Sequence, residues 1–308
     1  MTHDATAPRG FLTLGDIPAD RWPAIFDRAD ELKRERIQTT LKGMSVALVF
    51  EKASTRTRVS FEVGVHELGG HAVVLTSQGS QIARGEPIED TARVLSGYCQ
   101  MIVIRTFGQD RVAQLARHAS VPVVNGLSDQ HHPCQVATDL FTVREHFGSI
   151  ADQRYAWIGD GNNMANSWIE AAGLFGLELA LACPDGFAPD SQLVATARDR
   201  QRMSGKGSIT LTADPKIAVA GATVISTDVW ASMGQEDEAA QRRTAFAGFC
   251  VDSGLVARGA RGAVVLHCLP AHRGEEITGE VLDGAQSLAW VQAANRLPIG
   301  KAILEAVL

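Results

Sequence analysis

The sequence predicts an α/β protein of two doubly wound domains, each with a central parallel sheet flanked by helices, joined by interdomain helices. Three observations carry this. Short apolar runs such as 45–50 and 101–105 alternate with amphipathic segments of helical period, the pattern of βαβ units and a parallel sheet. A longer helical stretch over 133–147 interrupts the alternation, which then restarts. The 308 residues are enough for two domains of ordinary size.

Residues 20–36 read as a helix, with Trp22, Ile25, Phe26, Ala29 and Leu32 on one face. Strands are predicted at 45–50, 71–75, 101–105 and 121–125, with helices at about 56–68, 88–97 and 110–119 between them. Pro133 suits the first position of the next helix, where its missing N–H is no loss. The second series has strands near 154–159, 178–182, 208–211, 222–226 and 263–267, and helices near 163–175, 190–203 and 236–246. The stretch 287–308 looks helical but contains Pro298. An interior proline costs about 3 kcal/mol, so either a helix starts near it or the last helix is kinked.

Hydrophobic residues are 45% and charged residues 21% of the chain, the balance of a soluble globular protein. A net charge of −6 argues against nucleic acid or an anionic membrane as partner. No apolar run approaches the roughly 18 residues of a membrane span. Residues 1–14 carry Asp4 and no apolar core segment, so neither a secretory signal nor a transit peptide is expected. Five cysteines with no CxxC pair predict free thiols in a reducing cytoplasm, not a disulfide framework or a structural zinc site.

Ligands of an open parallel sheet bind beyond the carboxyl ends of its strands. Polar residues gathered at those ends in both halves imply one cleft between the domains. Ser54-Thr55-Arg56-Thr57-Arg58 lies where the first strand turns into a helix. Helix-initial N–H groups, small hydroxyls and an arginine make a site for a phosphate or similar anion; the alternative is a capping Ser/Thr beside a solvated arginine. The loop lacks the glycines and the Gly-Lys-Ser/Thr ending of a Walker A motif. Arg105 closes a strand, either structurally or to share the anion and polarise a carbonyl. His132, before the helix at Pro133, can donate to a carbonyl oxygen, and Gln135 lies in the first turn; the alternative is an exposed histidine pair, His131-His132. Adjacent histidines rarely converge on one metal, so no metal site is expected there. Gly159-Asp160-Gly161-Asn162-Asn163 is not GxGxxG, and its asparagines suit an amino acid's polar groups better than a dinucleotide. Asp228, after its strand, can receive a substrate ammonium. Cys268 is either a buried core thiol or a thiol facing the cleft.

Taken together, Ser54–Arg58, Asp90-Thr91-Ala92-Arg93-Val94-Leu95, His132-Pro133-Cys134-Gln135, Asp228-Val229-Trp230-Ala231-Ser232-Met233-Gly234, His267-Cys268-Leu269-Pro270 and Asn295-Arg296 resemble the aspartate/ornithine carbamoyltransferase family. Ser-Met-Gly and His-Cys-Leu-Pro resemble its ornithine-specific members. The resemblance covers nearly the whole chain. It implies that Ser54, Thr55, Arg56 and Thr57 hold the phosphate of carbamoyl phosphate and that Arg105 bridges phosphate and carbonyl oxygen. It implies that His132 and Gln135 bind the carbamoyl group, with Cys268, Leu269 and Arg296 completing that site. Gln81 would reach a neighbouring subunit's phosphate site. Asn163, Asp228, Ser232 and Met233 would bind L-ornithine. Arg58 would be a structural ion-pair partner. The implied carbamoyl phosphate-binding domain is 1–132, with a helix at about 290–308 packing back on it; the ornithine-binding domain is 133–289. A homotrimer, or a multiple of trimers, and a role in arginine biosynthesis are implied as well, with no cofactor and no metal.

The chemistry expected from those roles is direct attack of the ornithine side-chain amine on carbamoyl phosphate through a tetrahedral intermediate, giving L-citrulline and phosphate. The amine, with a solution pKa of about 10.4 by analogy with lysine, must be neutral to attack. The catalytic residues would be Arg105, His132, Asp228 and Cys268. Asp228 and Cys268 would orient the amine, while Arg105 and His132 would stabilise the charge that grows on the carbonyl oxygen. Cys134 stands where family members often carry Thr or Ile and is expected to point away from substrate. Other acceptors (N-acetylornithine, putrescine), a non-catalytic amino-acid-binding relative and a nicotinamide oxidoreductase are the competing readings.

Overall fold

Apolar runs that are buried on both faces form the central strands, and the helices between them cover those faces. The structure is a computed structural model; it describes residues 10–77, 85–231 and 238–308. The chain divides into two units, Met1–Thr138 with Asn295–Leu308, and Asp139–Ala294. The division falls inside helices, at 138/139 and 294/295, rather than at the expected helix starts.

The first unit contains β1 (Gly10–Phe11), α1 (Trp22–Arg34), β2 (Ser45–Phe50), α2 (Arg56–Glu67), β3 (His71–Thr76), α3 (Ile88–Tyr98), β4 (Met101–Arg105), α4 (Gln109–His118) and β5 (Val123–Leu127). The helix α5 (Pro133–Phe147) leads into the second unit. That unit contains β6 (Arg154–Ile158), α6 (Asn163–Phe175), β7 (Glu178–Ala182), α7 (Ser191–Ser204), β8 (Ser208–Thr212), α8 (Pro215–Val219), β9 (Val224–Thr227), α9 (Ala239–Ala245), α10 (Ser253–Val256), β10 (Val264–His267) and α11 (Gly279–Leu282). The last helix, α12 (Ala289–Ala306), returns the chain to the first unit.

Each unit holds a five-stranded parallel sheet, ordered β1-β5-β4-β2-β3 in the first and β10-β9-β6-β7-β8 in the second. The first unit opens with β1 at one edge; from β2 in that sheet and from β6 in the other, the chain starts near the middle, winds to one edge, then returns to wind toward the other. The strand order therefore reverses between β2 and β4 in one unit and between β6 and β9 in the other. Those are the switch points at which a doubly wound sheet opens a crevice.

The predicted elements are present with shifted edges. The fourth strand begins at Val123, after Pro122, which has no N–H to give a ladder. The two-residue β1 and the short α8, α10 and α11 were not expected, because four or five residues are too few for a helical period to show. The last helix runs without a break through Pro298, so the proline is interior. Local signals set the helix ends. Asn162 caps α6 by accepting from Met164 and Ala165 N–H, Asp190 caps α7 in the same way, and left-handed Gly176 and Gly205 follow the two helices.

An ion network fastens the end of α12 to α2 within the first unit. Lys301 is buried, and its Nζ donates to Glu67 Oε2 at 3.0 Å and to the Arg36 carbonyl. Arg36 also pairs with Glu67. Burial pushes the Glu67 carboxyl up, but the hydrogen bonds from Arg36 and Lys301 outweigh it and hold the group below its ordinary 4.5. A carboxylate so depressed contributes stability above its unfolded pKa and loses it as pH falls through the folded one. Glu67→Ala, which strands the Lys301 ammonium, is expected to cost about 3 kcal/mol in urea unfolding at pH 7. The gap from the unsubstituted protein should narrow as pH drops below about 4.5; a pH-independent gap would refute this assignment.

Candidate active site

In the first unit the sheet register sets where the polar groups go. Phe50, the last residue of β2, stands beside Arg105, the last of β4. The β4–β5 ladder slips there, with Ile104 opposite Asn125 and Arg105 opposite Leu127, so Gly126 is extra. Such bulges re-aim a side chain next to a site. Beyond β2, Glu51 accepts from Arg111 Nε at 2.8 Å and from Thr106 Oγ1, and Lys52 pairs with Asp129. These contacts brace the loop after β2 against those after β4 and β5.

That loop then enters α2. Ser54 Oγ accepts the Thr57 N–H at 3.2 Å, so Ser54 does cap the turn. Thr55 and Arg56 are exposed at the helix start, while Thr57 is buried. Two guanidiniums meet on the Thr57 hydroxyl: Arg105 Nη1 at 3.4 Å and Arg296 Nη2 at 3.2 Å. Arg296, on α12, also donates through Nη1 to Gln135 Oε1, so Pro298 does not turn it away from the first unit's polar cluster. Arg58 is exposed and faces Glu62 at 3.5 Å, a surface pair one turn along.

His131 and His132 are both buried rather than an exposed pair. Burial first, then the charges of Arg296, Arg105 and Arg56, push His132 well below its ordinary 6.5. Its imidazole is therefore neutral in neutral solution, an uncharged hydrogen-bonding group among three cations. Cys134 is a buried thiol donating to the Asn125 carbonyl at 3.4 Å, pushed up to about 12 by burial. It stays protonated and packs as a core residue.

In the second unit, Ile158 pairs with Thr227, and Thr227 with His267. Gly159, Asp228 and Cys268 thus leave three neighbouring strands at one level. The Cys268 Sγ–H donates to Asp228 Oδ1 at 2.9 Å, and Asn162 Nδ2 donates to Asp228 Oδ2 at 3.2 Å. Asp228 is buried and accepts on both oxygens. Asn163 begins α6 and is buried too, but the asparagine that reaches Asp228 is Asn162. Gly161 lets this loop pass close beneath 188–189, since a Cβ there would lie 2.3 Å from Pro189 N.

Arg242, on α9, ties the loop ends together. Its Nη1 donates to Asp160 Oδ2 and to the Trp230 carbonyl, both at 2.8 Å, and its guanidinium lies over the Phe187 ring. Burial raises the Asp160 carboxyl, against the pull of Arg242 and with a further push from Asp228. Asp228, His267 and Cys268 offer ligand atoms within 4.8 Å of one another. Both His267 ring nitrogens are already engaged, Nδ1 by the Leu269 N–H at 2.9 Å and Nε2 by Glu276 at 3.0 Å. A metal would have to break one of these bonds.

Gln81, Ser232 and Met233 lie outside the described residues. Thr57, Arg105, Gln135 and Arg296 come together in the first unit, with His132 and Arg56 near enough to interact electrostatically. Asp228 and Cys268 come together in the second. The brace of Glu51 and Lys52, the clamp of Arg242 and the Glu276–His267 pair escaped sequence reasoning. Each is an ordinary charged residue with no local signal of its partner, which strand order or, for Glu276, the turn after β10 brings close.

Two family models match: "Aspartate/ornithine carbamoyltransferase, carbamoyl-P binding domain" over residues 9–145, and "Aspartate/ornithine carbamoyltransferase, Asp/Orn binding domain" over 151–307. The ornithine carbamoyltransferase of Pelobacter propionicus is 53% identical over 300 residues, 96% of this chain and 97% of that protein. That of Geobacter metallireducens is 53% identical over 304 residues, 97% and 99% of the two chains. Among solved structures, the ornithine carbamoyltransferase from Pyrococcus furiosus superposes with a TM-score of 0.93 at 45% identity, covering 98% of this chain and 97% of its own. An anabolic ornithine carbamoyltransferase from Campylobacter jejuni gives 0.91 at 37%, covering 96% and 97%.

A histidine kept neutral by its surroundings makes folding pH-dependent. Below the unfolded pKa of about 6.5 the unfolded chain takes up a proton that His132 in the folded chain refuses, so stability falls as pH falls. His132→Asn is expected to flatten the decline in unfolding free energy between about pH 7 and pH 5. An unchanged slope in denaturant titrations across that range would show that His132 is not held neutral.

Proposed function

The chain belongs to the aspartate/ornithine carbamoyltransferase family, and we propose from that premise that it carries out the ornithine reaction with the residues just described. It is a transferase: the carbamoyl group of carbamoyl phosphate passes to the side-chain amine of L-ornithine, giving L-citrulline and phosphate for arginine biosynthesis. The observation that carries the choice of amine is Asp228, a buried carboxylate held on both oxygens beside Cys268. A carboxylate matches the charge of an ornithine ammonium and repels the second carboxylate of aspartate.

In this reading the first unit holds the carbamoyl donor. Ser54, Thr55, Arg56 and Thr57 present N–H groups, hydroxyls and a cation at the start of α2, where the helix dipole also favours an anion. Arg105 spans the phosphate and the carbamoyl oxygen, Arg296 and Gln135 flank it, and Gln81 reaches a neighbouring subunit's phosphate. The second unit holds the acceptor: Asp228 and Cys268 take the amine, Asn163, Ser232 and Met233 the rest of ornithine, and Leu269 lies by the carbamoyl group. Asn162 fixes the Asp228 carboxylate.

The amine nitrogen attacks the carbonyl carbon, and the bond from that carbon to the phosphate oxygen breaks as the tetrahedral intermediate collapses. The nitrogen gives up one proton and the departing phosphate carries one away, so the reaction balances without a cofactor. Negative charge on the carbonyl oxygen meets the Arg105 guanidinium and the N–H of a neutral His132. Fixed donors of this kind contribute about 2.7–4 kcal/mol each in other enzymes. A neutral imidazole suits the role, because it donates without adding a fourth charge to the three arginines around it.

We further propose a homotrimer, or a multiple of trimers, working in the cytoplasm. Family membership supports the assembly. All five cysteines are free thiols, which fits a reducing compartment.

The first test is citrulline formation with L-ornithine, N-acetylornithine, putrescine and L-aspartate as parallel acceptors. Turnover confined to ornithine is expected; turnover with another amine would overturn the reading of the second unit. Arg56→Ala should raise the KM for carbamoyl phosphate, and Asp228→Ala that for ornithine. If each substitution moved both constants alike, the division of labour would be wrong. Arg105→Ala is expected to lower kcat by about a hundred- to a thousand-fold in steady-state assays.

A further inference from the structure

The turn after β10 holds its shape against the preferences of its own backbone. Leu269 has φ 58°, the one positive φ outside glycine among the described residues, in a region that residues with a Cβ rarely adopt. Its N–H is held by His267 Nδ1 at 2.9 Å. That nitrogen therefore presents a lone pair, and the ring proton sits on Nε2. Nε2 donates to Glu276 Oε1 at 3.0 Å, and the same oxygen accepts the His272 N–H at 2.6 Å. One carboxylate oxygen thus ties both ends of the turn. The His267 backbone is pinned separately, its N–H donating to Gln292 Oε1 at 3.0 Å.

Glu276 is an expensive way to close a turn. It is fully buried, and its Oε2 has no hydrogen-bond partner among the described residues. A carboxylate satisfied on one oxygen only is a poor stabiliser of a core. What it does supply is a choice of tautomer. With no acceptor opposite Nε2, the ring proton is free to move to Nδ1, where it would face the Leu269 N–H, donor against donor. The turn would then lose the bond that holds Leu269 in place. Cys268 sits between His267 and Leu269, so its bond to Asp228 Oδ1 depends on that placement.

We propose that Glu276 is a positioning residue for carbamoyl transfer: it fixes the Nε2–H tautomer of His267, and that tautomer holds the turn that aims the Cys268 thiol at Asp228. The proposal rests on the reading that Asp228 and Cys268 receive the acceptor amine. Glu276 is fully buried and acts through His267.

The test compares the unsubstituted protein, Glu276→Ala and Glu276→Gln by ¹⁵N NMR of labelled histidine and by steady-state kinetics with each substrate varied. Glu276→Ala is expected to lose the Nε2–H signature of His267. Its kcat/KM for ornithine should fall roughly ten- to a hundred-fold, the range for removing a carboxylate that orients a functional histidine, with the carbamoyl phosphate KM held within about twofold. Glu276→Gln keeps an acceptor oxygen, so it should keep the tautomer and recover most of the ornithine turnover. Three results would overturn the proposal: an unchanged tautomer in Glu276→Ala, equal loss toward both substrates, or a Glu276→Gln protein no better than Glu276→Ala. Should Glu276→Ala not fold, a Glu276→Gln protein that loses the tautomer yet keeps full ornithine turnover would also overturn it. Absence of citrulline from the unsubstituted protein would instead refute the reading of the site, while the NMR comparison would still decide whether Glu276 sets the tautomer.

Discussion

A parallel strand covered by helices on both faces has only its ends left for polar chemistry. Arg105, Asp228 and Cys268 inherit their positions from that constraint. Parallel pairing keeps neighbouring carboxyl ends level, so Arg105 stands beside the end of β2, and Gly159, Asp228 and Cys268 leave β6, β9 and β10 side by side. No side chain has to reach far. Register brings Asp228 and Cys268 to one level, and the turns that follow complete the bonds from Cys268 and Asn162 to Asp228. The reversal of strand order at β2/β4 and at β6/β9 then opens each sheet at the place where those groups gather.

The two units treat charge in opposite ways. The first assembles cations around a hydroxyl and an imidazole, and the imidazole responds by staying neutral. The second buries carboxylates and supplies each with donors: Asp228 from a thiol and an amide, Asp160 from Arg242, Glu276 from a ring and a backbone N–H. Electropositive surroundings suit a donor that carries a phosphate, and ordered carboxylates suit an amine. Both arrangements carry desolvation costs that an apolar core would avoid, which is the ordinary signature of a site kept for chemistry.

The architecture was legible because period and strand ends are local properties. The runs at 45–50 and 101–105 read as buried strands, and the residues just after them were accessible to inspection. Family motifs supplied roles that spacing alone could not, as with Arg296, far along the chain from the Thr57 it touches. What stayed hidden was pairing. Asn162 and Asn163 look equivalent in sequence, and only the turn into α6 decides that the first reaches Asp228 while the second enters the helix. Nothing in the sequence around Glu276 marks it as buried; β10 and its turn wrap around it. The course of α12 through Pro298 also had no local reading, since a proline in a helical pattern signals a break as readily as an interior position.

The passage of the chain through α5 and back through α12 gives the molecule an order of assembly. The second unit, 139–294, is a continuous segment and is complete before Asn295 is joined to it during synthesis. The first unit begins earlier and finishes later. Its sheet is made at the start, yet Arg296 and Lys301, which bond to Thr57, Gln135 and Glu67, arrive only with the final residues. On the ribosome the unit of residues 139–294 can therefore mature while the first unit still waits for the arginine and the lysine that complete its bonds.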